Sequence, residues 1–242
     1  MKGKGECDIL CSTVYFFVFS GIIELMDFLW IIAAASALLI CAFLFYKIKT
    51  SIRSRRILGY GTRSENLIKE ELCRLLGEKN VFAGFYLPMD AFGERYTEID
   101  VLAVTRGGIA VIEVKSHNGR IDSRDERIWK QYSNGKYVEF HNPILQNAAH
   151  IRAVQNALRA EGLYDAPVYS IVVFTSENVT FTKDFYELCN VKTMIDRVRN
   201  INRRAIFTPQ RRCEICKIIE KRKTNSRFAR RKHKRALLRF EK

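Results

Sequence analysis

Three charged residues stand inside apolar sequence where a buried sheet should have none: Asp100, Glu113 and Lys115. Asp100 opens the run Val101-Leu102-Ala103-Val104, and Glu113 and Lys115 close the run that begins Ile109-Ala110-Val111-Ile112. Two carboxylates brought close together repel and do not both ionise cheaply. A hard, oxygen-ligating cation such as Mg2+ removes that penalty and accepts carboxylates, waters and a substrate phosphate as ligands. A lysine beside the pair can orient a water or help deprotonate it. These are the groups that phosphodiester hydrolysis needs. By itself, a pattern this short is equally a strand pair carrying an ordinary salt bridge.

The elements that would position these groups are two strands and a turn. Both runs are rich in Val and Ile and are bounded by turn residues, which reads as strand. Arg106-Gly107-Gly108 between them supports a hairpin. If Val104 pairs with Ile109, the same antiparallel register sets Asp100 opposite Glu113, on one face and within a few ångströms. Glu113 and Lys115 are two apart on one strand and share that face.

The neighbouring sequence narrows the choice. Ser64-Glu65 stands at a helix start, followed in order by Glu98-Ile99-Asp100 and Gly108 to Lys115. Then come Gly119-Arg120-Ile121, Trp129 and Asn142-Pro143-Ile144-Leu145-Gln146. In this order the pieces resemble the nuclease-related domain (NERD) family, a branch of the restriction-endonuclease-like PD-(D/E)xK superfamily. The resemblance covers roughly residues 59 to 176, about half the chain. Ser64 stands where the family usually has Gly. The resemblance implies an α/β fold with a mixed central β-sheet flanked by helices. It also implies a metal-dependent nuclease, with DNA ahead of RNA as substrate. Asp100 and Glu113 would then hold Mg2+ (or Mn2+) with the backbone carbonyl of Val114, and Lys115 would position the attacking water. Gln146 and Glu65 would support from behind. Glu65 would otherwise only favour a helix N-terminus, as acidic residues in a first turn do. His150, one turn beyond Gln146, reads as a packing or surface histidine.

The chain has 242 residues and a formal charge of +15, which draws it to nucleic acid or an anionic membrane surface without choosing between them. Its seven cysteines are odd in number and show no disulfide-like spacing, so they read as reduced thiols. Residues 28–46 are nineteen uncharged residues, FLWIIAAASALLICAFLFY, which at about 1.5 Å each nearly span a hydrocarbon core. Trp30 and Tyr46 lie near the ends, where aromatic rings favour the interface. This is read as an uncleaved transmembrane helix. Residues 1–27 contain a shorter apolar run that is a first span, an interfacial segment or an upstream extension. The basic linker 47–58 follows the span, so residues 47–242 are expected in the cytoplasm.

Downstream, the nuclease-related domain is set at 59–205. A helix begins at Thr62 or Ser64 and runs to about Leu76. Strands are expected at Val81–Leu87, Arg120–Ile121, Arg127–Tyr132 and Lys136–Phe140. Asn142 caps a helix with Pro143 at its first position. Pro167 to Thr175 reads as a strand buried on both faces, and Asn190 to Met194 as a last short strand. Residues 206–242 are a basic tail, helical or disordered. From Arg211, Lys and Arg dominate, which usually means a solvated run. The tail and linker offer contact to phosphate or to anionic lipid. Cys213 and Cys216 lack two further partners for a structural zinc site. Two functions stay open: a membrane-anchored nuclease, or a catalytically silent nucleic-acid-binding or scaffold module tethered at the membrane.

Overall fold

The computed structural model describes residue 36, residues 38–47, residue 49 and residues 63–90, 92–133 and 135–240. The chain divides into two compact units, Met1–Ile57 and Leu58–Lys242. In the first, residues 38–47 are helical, and Leu38, Leu39, Ile40, Phe43, Leu44, Phe45 and Tyr46 are all exposed. The expected span at 28–46 falls half outside the described residues, as do the segment 1–27 and nearly all of the linker 47–58. Among the described residues no helix is long and apolar enough to cross a membrane.

The second unit is mixed α/β. A five-stranded sheet runs in the order β1 (Val81–Pro88), β2 (Tyr96–Val104), β3 (Ile109–Lys115), β7 (Val168–Phe174), β9 (Leu188–Asn190). The first three strands are antiparallel, and β7 and β9 join parallel. Helix α1, residues 63–76, packs Ile68 and Leu72 on one face, together with Met194, Val198 and Ile201 of α3 (Val191–Arg203). Helix α2 (Pro143–Arg159) covers the other face with Ala153, Val154, Ala157 and Leu158. The two-sided burial explains why Ala103, Val104 and Ile109 to Ile112 are all closed to solvent.

The sequence predicts one central sheet, and the described residues form two. Strands β4 (Gly119–Asp122), β5 (Ile128–Ser133) and β6 (Lys136–His141) pair with β8 (Val179–Phe181) in a separate sheet, ordered β6-β5-β4-β8. The reason is that both edges of β3 are already taken, by β2 and by β7. The chain leaving Lys115 starts a new sheet. That sheet closes on its own aromatic cluster, in which Trp129 is fully buried and stacks on Phe185. Trp129 is therefore core.

Two further expectations change. The last short strand is Leu188–Asn190, and the chain turns helical at Val191 because Asn190 caps α3, its side chain accepting from the Thr193 N–H. The basic tail takes the helical of its two expected forms, but the stretch from Arg211 is not simply a solvated run. It forms α4 (Pro209–Arg222), capped by Thr208, and α5 (Arg227–Phe240). Ile215, Ile218 and Ile219 recur at helical spacing and bury against the α2 side of the sheet.

The β2–β3 turn sets the register of the two charged strands. Val104 pairs with Ile109, as the sequence predicts. Thr105 closes the turn through its backbone N–H and its hydroxyl, both donating to the Gly108 carbonyl. Gly107 passes so close to α3 that a Cβ there would lie 1.9 Å from the Ile201 carbonyl oxygen. Gly107→Ala must push the end of α3 away, and overpacking of this kind costs about 1–3 kcal/mol. Thermal unfolding should show a corresponding drop in Tm, and an unchanged Tm would contradict this packing.

Candidate active site

Asp100 lies where β2 changes phase. Leu102 and Val104 face α2, and so does Ile99, although strict alternation would send it to the opposite face. In β1 the same switch falls at Gly84, whose φ of 62° is the left-handed region that glycine adopts without strain. The β2–β3 ladder is paired as far as Val101↔Ile112. Just past it, the Asp100 Oδ2 accepts the Val114 N–H at 2.9 Å. In a strand the N–H and C=O of one residue point to the same edge. The Val114 carbonyl is therefore directed toward the Asp100 carboxylate.

Glu113 and Lys115 end β3 on the α2 side. Glu113 is 1% exposed. Its Oε1 accepts from Lys115 Nζ at 2.6 Å, and its Oε2 accepts from His150 Nε2 at 2.9 Å. Lys115 Nζ also donates to Gln146 Oε1 at 3.0 Å. Gln146 is brought here by the Asn142 cap, whose side chain accepts from the Ile144 N–H and starts α2 at Pro143. Glu65, in the first turn of α1, lies in the electrostatic field of Glu98, Glu113 and Lys115. Next to it, Ser64 Oγ lies 3.1 Å from Thr175 Oγ1. The Thr175 N–H donates to the Lys115 carbonyl, which ties α1 to the end of β3 through β7.

The charges are unevenly settled. Burial and the Glu113 charge hold the Asp100 carboxyl well above its ordinary value. Burial alone would raise Glu113 too, but the Lys115 ammonium and the His150 hydrogen bond carry it down to about 2. Burial would lower Lys115, and the Glu113 carboxylate overrides it and raises it. Burial, then Glu98 and Glu113, raise Glu65. The pocket thus has one settled ion pair and a second carboxylate short of positive charge.

A divalent cation fits this imbalance. The donors on hand are the carboxylates of Asp100 and Glu113 and the Val114 carbonyl, all hard oxygens. Among the described residues no group of three or more His, Cys, Asp or Glu side chains is gathered to hold an ion. Such an ion would therefore depend on the carbonyl and on water or phosphate oxygens. The Cys213 and Cys216 thiols are free, with Cys213 exposed and Cys216 directed to Asn80 Oδ1.

Sequence reasoning missed the role of His150. It is buried, and its Nδ1 lies 2.7 Å from the Thr97 hydroxyl. A carboxylate only accepts, so Nε2 donates to Glu113, and in the neutral ring Nδ1 accepts from Thr97. Its signal was its place one turn from Gln146 on the same helix face. His150→Leu should leave Glu113 with one partner lost and cost about 1–3 kcal/mol in unfolding free energy. His150→Gln, which can still donate to Glu113, should recover part of that loss. Equal losses in both variants would mean that packing alone holds the position. Asn147 was also missed. It is fully buried, and its Nδ2 donates to the carbonyls of Val111 and Ile171, pinning α2 across β3 and β7.

An open groove of about 990 Å3 lies between Leu67 of α1, the end of β7 and α3, and includes Thr175. None of Asp100, Glu113 and Lys115 lines it. The chemistry sits instead on the α2 side of the same strand end.

An Asp in the middle of β2 and a Glu-x-Lys at the end of β3, on a mixed sheet between helices, form an α/β domain consistent with the PD-(D/E)xK superfamily. Residues 60–175, 116 of the 242, match the family model described as nuclease-related domain (NERD). No curated protein and no solved structure matches the chain. Glu65, Asp100, Glu113, Lys115 and Gln146 all fall inside the matched segment, and so does His150.

Proposed function

We propose that this protein is a membrane-anchored, metal-dependent nuclease that hydrolyses phosphodiester bonds of nucleic acid, DNA ahead of RNA. The observation that carries the reading is the Lys115 ammonium, held between Glu113 and Gln146 beside an Asp100 carboxyl that lacks a counter-charge. Mg2+ or Mn2+ bound by Asp100, Glu113 and the Val114 carbonyl would supply Lewis acidity and lower the pKa of a bound water.

The chain's own residues do the rest. Lys115 keeps its proton, because the neighbouring carboxylates raise its pKa. It therefore acts as a fixed positive charge aimed at the phosphoryl oxygens, where charge grows in the transition state. Gln146 holds the ammonium in place and leaves its amide N–H groups for a water or a phosphate oxygen. His150 fixes the rotamer of Glu113. Glu65 adds negative charge from α1 and strengthens the demand for a cation.

Anchoring rests on residues 28–46, uncharged throughout, and on the exposed apolar side chains of residues 38–47. The basic residues that follow support a cytoplasmic domain by the positive-inside rule. DNA ahead of RNA rests on the family resemblance alone. One observation favours the rival reading, a silent nucleic-acid-binding or scaffold module: both Glu113 oxygens are already bonded, to Lys115 and to His150.

The test is cleavage by the full-length chain of labelled single-stranded and duplex DNA and RNA, with Mg2+, with Mn2+ and with EDTA. Cutting that needs metal supports the nuclease. Tight, salt-sensitive binding with no cutting on any substrate supports the silent module.

A further inference from the structure

Helix α5 lies outside the segment that matches the family. No acidic residue occurs between Glu220 and Glu241. Arg227, Arg230, Arg231, Lys234 and Arg235 are all exposed. At about 100° per residue they fall on one continuous arc of roughly 140°, and at about 1.5 Å per residue they extend along roughly 12 Å of helix. Arg227, Arg231, Lys234 and Arg235 form no ion pair among the described residues.

The opposite face of α5 is docked. Ser226 caps the helix, its hydroxyl accepting from the Ala229 N–H, and Ala229 is fully buried. His233 Nδ1 donates to the Tyr96 carbonyl at 3.1 Å, and its ring packs 5.6 Å from that of Tyr86. Lys232 Nζ donates to the Gly93 carbonyl at 2.9 Å. Just before the helix, Thr224 and Tyr86 exchange backbone hydrogen bonds, a bridge on the edge of β1. A cationic run that is merely solvated would show none of these attachments.

The docking brings α5 to the acidic side of the site. His233 Nε2 is 3.9 Å from the Glu98 carboxylate, and Glu98 in turn raises Glu65. Glu98 is two residues from Asp100 along β2, about 7 Å. The site's carboxylates repel a phosphate backbone, and a fixed cationic face beside them offsets that repulsion.

We propose that the outer face of α5 is a docking rail for the phosphate backbone of the nucleic acid cut at the Asp100–Glu113–Lys115 site. It rests on the nuclease reading above and adds where the substrate lies. Measured along the duplex axis, at about 3.4 Å per strand phosphate, a rail of this length spans about 3–4 phosphates of one strand. It contacts phosphate and sugar, so it positions the substrate without reading bases. A lipid surface is the less suitable occupant. An interfacial helix buries an apolar face in the membrane, and the face of α5 opposite the cations is already packed on the sheet through Ala229 and His233.

The test measures binding of the full-length chain to a labelled single strand and a duplex in EDTA, across a salt series. Phosphatidylserine and phosphatidylcholine vesicles are run in parallel. The variant carries Arg227→Gln, Arg231→Gln and Lys234→Gln together. A control of equal charge loss carries Lys79→Gln, Arg159→Gln and Lys192→Gln, three exposed positions elsewhere. All six sites are on the surface, and thermal unfolding checks that both variants fold. The α5 variant should lose about 10-fold or more in affinity at moderate salt, and its log–log salt slope on duplex should fall by about 3. The control should lose less on both counts. Equal losses in the two variants overturn the rail. So does a loss confined to phosphatidylserine vesicles, and so does a wild type that binds no nucleic acid. A wild type that binds through α5 but never cuts with metal leaves the rail intact and sinks the nuclease reading instead.

Discussion

Lys115→Met should slow cleavage by about 10²–10³-fold and reverse the way stability responds to acid. Removing one preorganised charge donor at the transition state costs about 10²–10³-fold in rate, and Lys115 is the cation that touches both Glu113 and Gln146. In the wild type, Glu113 titrates at about 2 against an ordinary 4.5. A depressed carboxyl contributes stability that is present above the ordinary value and is lost as pH falls from about 4.5 through about 2. Without the ammonium, burial is the dominant influence on Glu113 and pushes its pKa up. Its contribution then changes sign, and the variant loses stability as pH rises through the raised value. Losing one partner of a buried pair costs about 3–5 kcal/mol. The His150 hydrogen bond that remains sets the expectation at the lower end of that range. Denaturant unfolding at several pH values reads both effects. A variant with the wild-type pH profile would mean that Lys115 does not hold the Glu113 charge.

Asp100→Asn should have the opposite effect on the metal-free protein. The folded state holds the Asp100 proton more tightly than the unfolded chain, because burial and Glu113 oppose the charge. A raised carboxyl contributes stability that is fully present below the unfolded value and is lost as pH rises through the folded value. At neutral pH the wild type therefore carries an energetic penalty at Asp100, because the folded state opposes the ionisation that the unfolded chain allows. Asn removes the titrating group and can still accept the Val114 N–H that Asp100 Oδ2 accepts at 2.9 Å. The variant should melt at a higher temperature than wild type in EDTA. Divalent metal should reverse the ranking. An ion that binds only the native state adds about 2.7 kcal/mol at 100 times its Kd, and the variant lacks one of the two carboxylate ligands. Cleavage should fall with it. If the Asp100→Asn variant and the wild type gain equally from Mg2+ or Mn2+, Asp100 is not a ligand. If the variant melts lower in EDTA, the carboxyl has a structural role.

Much of the site was legible because it depends on local rules. The β2–β3 register followed from period-two alternation and the Arg106-Gly107-Gly108 turn, and the observed pairing of Val104 with Ile109 agrees. Asn142-Pro143 announced α2, which carries Gln146 to Lys115. What stayed hidden is tertiary. The Thr97–His150–Glu113 chain joins residues 53 and 37 apart in sequence, and no local pattern reports it. Composition pointed to a solvated tail because it averages over charge. It could not show that Ile215, Ile218 and Ile219 find the sheet, or that Ala229 and His233 dock α5 beside Glu98. The second sheet was hidden for a related reason. Short strands carry the same signal whether or not the neighbouring edges are free.

The central claim is that Asp100, Glu113 and Lys115 form a metal-dependent hydrolytic centre. The most direct measurement is the single-turnover cleavage rate of the full-length wild type and Glu113→Gln on one labelled DNA, with saturating Mg2+, with Mn2+ and with EDTA. Gln keeps the size of the side chain and can still accept from Lys115, so folding is expected to survive. The predicted result is metal-dependent cleavage by the wild type and a rate at least about 10²-fold lower in the variant. Cleavage in EDTA, or equal rates in the two proteins, would contradict it.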